Sequence, residues 1–187
     1  MNIIIFGPPG AGKGTQAKFL VKKLNSYQIS TGDMLREEIN LDTDIGKKII
    51  NNMNEGKFVE DEIVNKLLEK NIFDISKKNK LIFDGYPRTL NQAKNLESLL
   101  EKSNQKLDFI FFLNVNKISI IKRIEKRKLL EKRSDDDADT ILKRYDTYME
   151  ITKPVLDFYS KNKNFHELDG SMEIDEISQK IDEILRV

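Results

Sequence analysis

A short apolar run followed by a glycine-rich loop opens the chain, and this pairing limits the fold more than any other feature of the 187-residue sequence. Ile3–Phe6 is continuously apolar, as in a strand that is buried on both faces. Gly7–Gly14 contains four glycines, and Thr15–Leu24 then carries apolar residues at helical spacing. The N-terminus is therefore predicted to form a strand, a loop and a helix in that order.

The loop itself fits a phosphate-binding pattern. Gly7–Lys13 matches the first seven positions of that pattern, whose glycines let successive backbone N–H groups converge on phosphate oxygens. The following helix N-terminus adds its dipole, and Lys13 is expected to reach the β- and γ-phosphates. The strict pattern continues with a magnesium-binding Ser or Thr, whereas this chain has Gly14 and then Thr15. We expect magnesium to be held mainly by nucleotide oxygens and water. The alternative, a chance glycine-rich turn, is disfavoured by the flanking strand and helix.

Further apolar runs predict the rest of an α/β fold. Leu81–Phe83 and Phe109–Leu113 are typical of interior strands, and Asn164–Leu168 is a weaker example. Amphipathic helices between and after them are marked by Ile63/Val64/Leu67/Leu68, Ala93/Leu96/Leu100, Ile118/Ile121/Ile124 and Ile174/Ile177/Ile181/Ile184. Strands that alternate with helices indicate a parallel sheet covered on both faces.

Two segments depart from this alternation. Residues 30–59 hold two short polar helices with no obvious strand between them, and residues 127–137 are densely charged and interrupt a helical stretch. Both are interpreted as excursions from the core, and solvated connections are the alternative. Pro154 is expected to kink the helical pattern that spans 138–160.

Composition excludes several classes of function. Thirty-two Lys and Arg against thirty-one Asp and Glu give a net charge of +1, so no bulk positive field favours nucleic acid or an anionic membrane. The absence of Cys excludes disulfides, thiolate nucleophiles and cysteine-ligated metals, and a single His argues against His-based catalysis. That residue, His166, is expected to be structural. The sequence shows no signal peptide or membrane span, and a cytoplasmic protein is the default expectation.

Three motifs, Gly7–Gln16, Ile29–Arg36 and Asp84–Gln92, together closely resemble the adenylate kinases. The resemblance runs essentially from end to end of the chain. Its later signatures are Arg123, Arg127, Arg133 with Asp135 and Asp136, Arg144, and Asp169–Ser171. Only five residues separate Arg127 from Arg133, so the resemblance is to the short-lid form, with no small β-subdomain and no zinc site.

The resemblance implies a fold and a reaction. The fold would be the three-layer P-loop NTPase fold, with a five-stranded parallel sheet in the order 2-3-1-4-5. Residues 1–29, 60–126 and 138–187 would form the core, 30–59 a mobile AMP-binding insertion, and 127–137 a mobile short lid. The reaction would be ATP + AMP ⇌ 2 ADP with Mg²⁺, serving adenine nucleotide homeostasis and salvage, and the protein would be a monomer.

The resemblance also implies roles for individual residues. The catalytic cations would be Lys13, Arg88, Arg123, Arg133 and Arg144. ATP would be bound by Gly10, Ala11, Gly12, Lys13, Gly14, Thr15, Arg123, Arg127 and the backbone carbonyl of Met172. AMP would be bound by Thr31, Arg36, Lys57, Phe58, Val59, Gly85, Tyr86, Pro87, Arg88, Gln92, Arg133 and Arg144. Asp84, assisted by Asp33, would hold magnesium through water.

Residue chemistry supports this interpretation independently. Two strongly anionic nucleotides must be brought together, and a cluster of arginines can offset their repulsion because the planar guanidinium binds phosphate oxygens bidentately. No general base is needed, since a phosphate monoester has its second pKa near ~6.

Two rival functions remain open at this stage. A pyrimidine monophosphate kinase would typically have Asn directly after Arg88 and Ala in place of Thr31. Gln92 favours adenine, because its amide can pair with both N6 and N1 of that base. A nucleotide-dependent switch would need an Asn-Lys-x-Asp tetrad, but Asn116–Ser119 ends in Ser and is more typical of a helix start.

Overall fold

The computed structural model describes residues 1–74, 78–131 and 138–186, and its centre is a parallel β-sheet. Five strands lie in the order β2-β3-β1-β4-β5, and every neighbouring pair is parallel. The strands are β1 (Ile3–Phe6), β2 (Tyr27–Ser30), β3 (Leu81–Asp84), β4 (Phe109–Asn114) and β5 (Phe165–Asp169). The predicted fold class and strand order are confirmed.

Helices connect the strands and cover both faces of the sheet. They are α1 (Lys13–Leu24), α2 (Thr31–Asn40), α3 (Asp44–Asn54), α4 (Asp61–Ile72), α5 (Leu90–Lys102), α6 (Lys117–Glu131), α7 (Ala138–Thr147), α8 (Lys153–Tyr159) and α9 (Ile174–Leu185). A π-helical turn, Tyr148–Thr152, joins α7 to α8, and Pro154 lies in the first turn of α8. The expected irregularity in this long helical pattern is therefore a π-helical turn just before the proline. No helix in the described parts of the chain is long and apolar enough to cross a membrane.

Burial explains why four strands were visible in the sequence and one was not. All four residues of β1 are buried, with alternate side chains packed into the apolar clusters on opposite faces of the sheet. In β2, by contrast, Ile29 is the only buried residue and Tyr27 is exposed, because this strand lies at the edge of the sheet. An edge strand with one buried side chain carries a weak apolar pattern. Strand β5, at the other edge, also has a single buried residue, Leu168, and its run was the weakest of the four that the sequence showed.

The two excursions differ in what the structure describes. Residues 30–59 form α2 and α3 with no strand between them, as predicted. Helix α6 continues through residues 127–131, and residues 132–137 lie outside the described residues. The Asn116 side chain accepts a hydrogen bond from the Ser119 N–H at 2.9 Å, so the Asn116–Ser119 run is a helix start.

Strand direction determines where a site can form. Because all five strands are parallel, their carboxyl ends meet at one edge, and Ile5 and Ser30 both align with Asp84 there. Ligands of open α/β sheets bind outside this edge.

Candidate active site

The phosphate-binding loop lies between β1 and α1 and depends on glycines in the left-handed region. Gly10 has φ +80° and Gly12 has φ +94°, conformations that L side chains rarely adopt. A Cβ on Gly10 would also lie 2.8 Å from the Ile124 side chain. The loop leads directly into the N-terminus of α1 at Lys13, where helix N–H groups and the helix dipole favour an anion.

Lys13 lies across its own loop. Its Nζ donates to the carbonyl of Gly7 at 2.8 Å and to the carbonyl of Pro8 at 3.0 Å. The ammonium group is therefore held at the mouth of the loop and lines the cleft beside it.

This cleft, of about 770 Å³ including space open to solvent, gathers cations from five separate parts of the chain. Lys13 follows the loop, Arg36 lies on α2, Arg88 follows β3, and Arg144 lies on α7. The other predicted site residues that line it are Lys57, Phe58, Val59, Gly85 and Pro87. With Lys57, five cationic side chains lie around one cavity, which makes the site suited to strongly anionic ligands.

Arg88 is held by several contacts. Its Nε donates to the carbonyl of Gly85 at 2.7 Å, and its guanidinium lies 5.3 Å from the centroid of the Phe58 ring. The hydroxyl of Thr152, on the π-helical turn, donates to the Arg88 carbonyl at 3.0 Å, and Thr31 Oγ1 donates to the same Gly85 carbonyl at 2.8 Å. The loop after β3 is thus tied to both α2 and the π-helical turn.

Two of the arginines that line the cleft lie in or beside the insertion at residues 30–59. Arg36 pairs with Asp33 on the same helix, with 2.5 Å between Nη2 and Oδ1. Arg144 lies on α7, whose Thr140 hydroxyl donates to the Asn54 carbonyl at the end of α3, at 3.3 Å. The insertion therefore contacts the helix that carries Arg144.

A smaller cavity of about 240 Å³ adjoins the cleft and contains Gln92. It is lined by Thr31, Leu35, Phe58, Val59, Val64, Gly85, Arg88 and Gln92. Gln92 is 2% exposed; its Oε1 accepts from the Arg88 N–H at 2.7 Å, and its Nε2 donates to Asp61 Oδ1 at 2.7 Å. Four apolar side chains with a few polar groups, among them the buried amide, suit a planar base.

Tyr86 supports this region from below. It is fully buried, its hydroxyl lies 2.6 Å from Asn65 Oδ1, and burial raises its pKa to about 12. At neutral pH the phenol is therefore uncharged. It packs and hydrogen bonds beneath the loop and is not among the described residues that line the cleft, and its contact with AMP stays a prediction.

Asp84 lies at the end of β3 against the phosphate-binding loop. Its Oδ2 accepts from Gln28 Nε2 at 3.0 Å and would lie 3.4 Å from a Cβ on Gly14. A carboxylate beside a phosphate site suits Mg²⁺, which prefers oxygen ligands and retains water. Across the described residues, no group of three or more Asp, Glu, His or Cys side chains could hold a metal.

Arg123 bridges the loop to the segment after β5. Its Nη1 donates to the Ala11 carbonyl and its Nη2 to the Met172 carbonyl, both at 3.4 Å. The pKa of Asp169 in this segment is lowered, chiefly because the Ser171 hydroxyl and N–H donate to it, with a smaller contribution from Arg123. Arg127 lies on α6, and Arg133 lies outside the described residues.

Sequence reasoning missed two residues that support this site. Asp61 opens α4 and holds the Gln92 amide, and Thr152 holds the Arg88 carbonyl. An aspartate in the first turn of a helix is common and gives no functional signal. Thr152 has no recognisable motif, because its partner is 64 residues away.

Comparisons with known proteins agree with this geometry. The adenylate kinase family model matches residues 5–164. The adenylate kinase of Pelagibacter ubique (strain HTCC1062) is 48% identical over 213 aligned positions, with all of both chains covered. Another, from Mycoplasma capricolum subsp. capricolum, is 44% identical over 90% of this chain and 91% of its own. The adenylate kinase of Caulobacter sp. (strain K31) is 40% identical, with 100% of this chain and 99% of its own covered.

Proposed function

The chain belongs to the adenylate kinase family, and from this premise we propose how its cleft performs the reaction ATP + AMP ⇌ 2 ADP. The observation that carries the proposal is the convergence of Lys13, Arg36, Arg88 and Arg144 on one cavity beside the phosphate-binding loop. A monophosphate site and a triphosphate site must adjoin in such an enzyme, because the reacting groups must lie in line.

The donor side is assigned to the loop. Backbone N–H groups of residues 10–15 bind the β- and γ-phosphates of ATP, Lys13 moves from its loop carbonyls to those phosphates, and Arg123 with the Met172 carbonyl holds the base. Arg127 assists with phosphate. Asp84, assisted by Asp33, would hold Mg²⁺ through water, and the ion would supply charge neutralisation.

The acceptor side is assigned to the insertion and to the loop after β3. Arg36 and Arg88 bind the AMP phosphate, while residues 57–59 and Thr31 enclose the nucleoside. Gln92 pairs with the adenine edge. Arg144, with Arg133, stabilises charge on the transferring group.

The chemical step needs no base from the protein. An ionised oxygen of the AMP phosphate attacks the γ-phosphorus, and the bond to the bridging oxygen of ATP breaks, so that both products are ADP. The arginines offset the repulsion between the two anions and stabilise charge in the transition state. Closing the insertion at 30–59 and the lid at 127–137 over the nucleotides would exclude water, which would otherwise accept the phosphoryl group.

We also infer a cytoplasmic monomer that acts on nucleotides and not on nucleic acid or membranes. A net charge of +1 supports the part that concerns nucleic acid and membranes, because it supplies no bulk positive field to attract either.

The test is a coupled assay of ADP formation with ATP and Mg²⁺. ADP formation is expected to depend strictly on added AMP and on Mg²⁺, with CMP and UMP far poorer as acceptors. Comparable kcat/KM for CMP and AMP would contradict the assignment and favour a pyrimidine monophosphate kinase. ADP formation without any acceptor would indicate an ATPase.

A further inference from the structure

The buried amide of Gln92 is held at both of its ends by groups of opposite hydrogen-bonding character. Its Nε2 donates to Asp61 Oδ1 at 2.7 Å, and its Oε1 accepts from the Arg88 N–H at 2.7 Å. An ionised carboxylate only accepts, and a backbone N–H only donates. These two contacts therefore permit only one of the two orientations of the amide.

Turning the amide over would be costly. The carbonyl oxygen would then face the Asp61 carboxylate, and the NH₂ group would face the Arg88 N–H. Both contacts would be lost inside a site where Gln92 is 2% exposed and water cannot replace them.

Asp61 is itself held in place. Its Oδ2 accepts from Thr89 Oγ1 at 2.7 Å and from Asn91 Nδ2 at 3.3 Å, while Oδ1 faces Gln92. The carboxylate therefore has fixed partners on both oxygens. Because these contacts restrict its rotation, the Asp61 carboxylate holds the Gln92 amide in a fixed position.

The fixed amide retains capacity for a ligand. An amide has two donor hydrogens and two acceptor lone pairs, and the two contacts use one of each. The remaining N–H and lone pair belong to a side chain that lines the smaller cavity. Where both face the cavity, they present an acceptor beside a donor, which complements a base edge with the opposite order.

Adenine and hypoxanthine differ in the order of donor and acceptor along the edge that contains C6 and N1. Adenine has a donating amino group at C6 and an accepting N1, whereas hypoxanthine has an accepting oxygen at C6 and a donating N1–H. One orientation of the amide matches adenine, and the reversed orientation matches hypoxanthine.

We propose that Asp61 is a specificity-determining positioning residue. By holding the Gln92 amide in one orientation, it makes the acceptor site select a 6-amino purine monophosphate and reject a 6-oxo purine monophosphate. The inference rests on the proposed function, in which Gln92 pairs with the acceptor base.

The test measures kcat/KM for AMP and for IMP, with ATP as donor, in the unmodified protein and in Asp61→Ala. The AMP-to-IMP ratio is expected to fall about tenfold in Asp61→Ala, because one of the two contacts that fix the amide is lost. Damage to the fold alone would lower both values and leave their ratio unchanged. If Asp61→Ala does not fold, Asp61→Ser is measured instead, with the same expected fall.

Two matched variants sharpen the result. Asp61→Asn keeps the size of the side chain but replaces the acceptor-only carboxylate with an amide that can accept or donate, so it should lower the ratio as well. Asp175→Ala removes another first-turn aspartate, in α9, and should leave the ratio unchanged. A fall in Asp175→Ala as large as in Asp61→Ala would overturn the inference, as would an unchanged ratio in both Asp61→Asn and Asp61→Ala.

The inference and the proposed function fail in different ways. If the unmodified protein shows no preference for AMP over IMP, the proposed pairing of Gln92 with adenine is wrong. If the preference is present and is lost in Gln92→Leu, but stays within twofold in Asp61→Ala, only the role of Asp61 is wrong.

Discussion

One side of the cleft is formed mainly by backbone groups, and the other side is formed mainly by side chains. The phosphate-binding loop is a backbone structure, whose shape depends on Gly10 and Gly12 in the left-handed region and on the N-terminus of α1. The side that carries Arg88 and Gln92 is built from side chains, each held by a further polar group.

This difference determines how each side responds to change. The shape of a backbone site is set by local chain geometry, so it depends little on supporting side chains. A side-chain site depends on supporting groups, so residues that never touch a nucleotide can alter it. We therefore expect supporting residues to affect AMP much more than ATP.

The largest effect is expected from Lys13→Ala. Lys13 is the one cation in the described part of the cleft that belongs to the backbone-built side, and its charge matters most in the transition state. The variant should lower kcat/KM on the order of 10²-fold or more. Steady-state kinetics checks this, with Lys18→Ala, an exposed lysine on the same helix, as the matched control. Near-normal activity in Lys13→Ala would show that Lys13 does not stabilise the transition state.

Arg88→Ala should follow, with a different distribution of effects. Its loss should also lower kcat/KM on the order of 10²-fold, because a bidentate partner of the AMP phosphate is removed. The KM for AMP should rise much more than the KM for ATP, because Arg88 is expected to bind AMP and not ATP. Equal rises in both KM values would contradict the assignment of Arg88 to the AMP side alone.

A smaller effect is expected from Thr152→Val, which keeps the shape of the side chain but removes the hydrogen bond to the Arg88 carbonyl. A net loss of about 1 kcal/mol corresponds to about a fivefold fall in kcat/KM for AMP. The KM for ATP should stay unchanged, and Thr152→Ser should restore the activity with AMP. A variant that impairs ATP and AMP equally would show that Thr152 supports the fold in general.

The same division explains what the sequence could predict. The phosphate-binding loop and β1 are local features, in which the residues that form the structure are neighbours along the chain. Arg88 and Gln92 were identified through their motif, since Arg88 lies in the loop after β3 and Gln92 in the first turn of α5, the next helix. Asp61 and Thr152 were not, because their partners lie 31 and 64 residues away. Long-range polar contacts depend on the packing of helices, which periodicity does not specify.

Strand β2 illustrates the same limit within the fold. Three strands, β1, β3 and β4, carry long apolar runs because they lie inside the sheet. Strand β2 lies at the edge, and of its residues only Ile29 is buried. Its position follows from pairing with β3, from Tyr27 opposite Leu81 to Ser30 opposite Asp84, and not from its own composition.

The most direct test of the two-sided cleft is a crystal structure with a dinucleoside pentaphosphate that joins both adenosines. The phosphate chain is expected to run from the backbone of residues 10–15 and Lys13 to Arg36 and Arg88. One adenine edge should lie against the Gln92 amide, whose Nε2 still donates to Asp61. A phosphate chain that does not reach the loop backbone, or an acceptor adenine that lies away from Gln92, would contradict it.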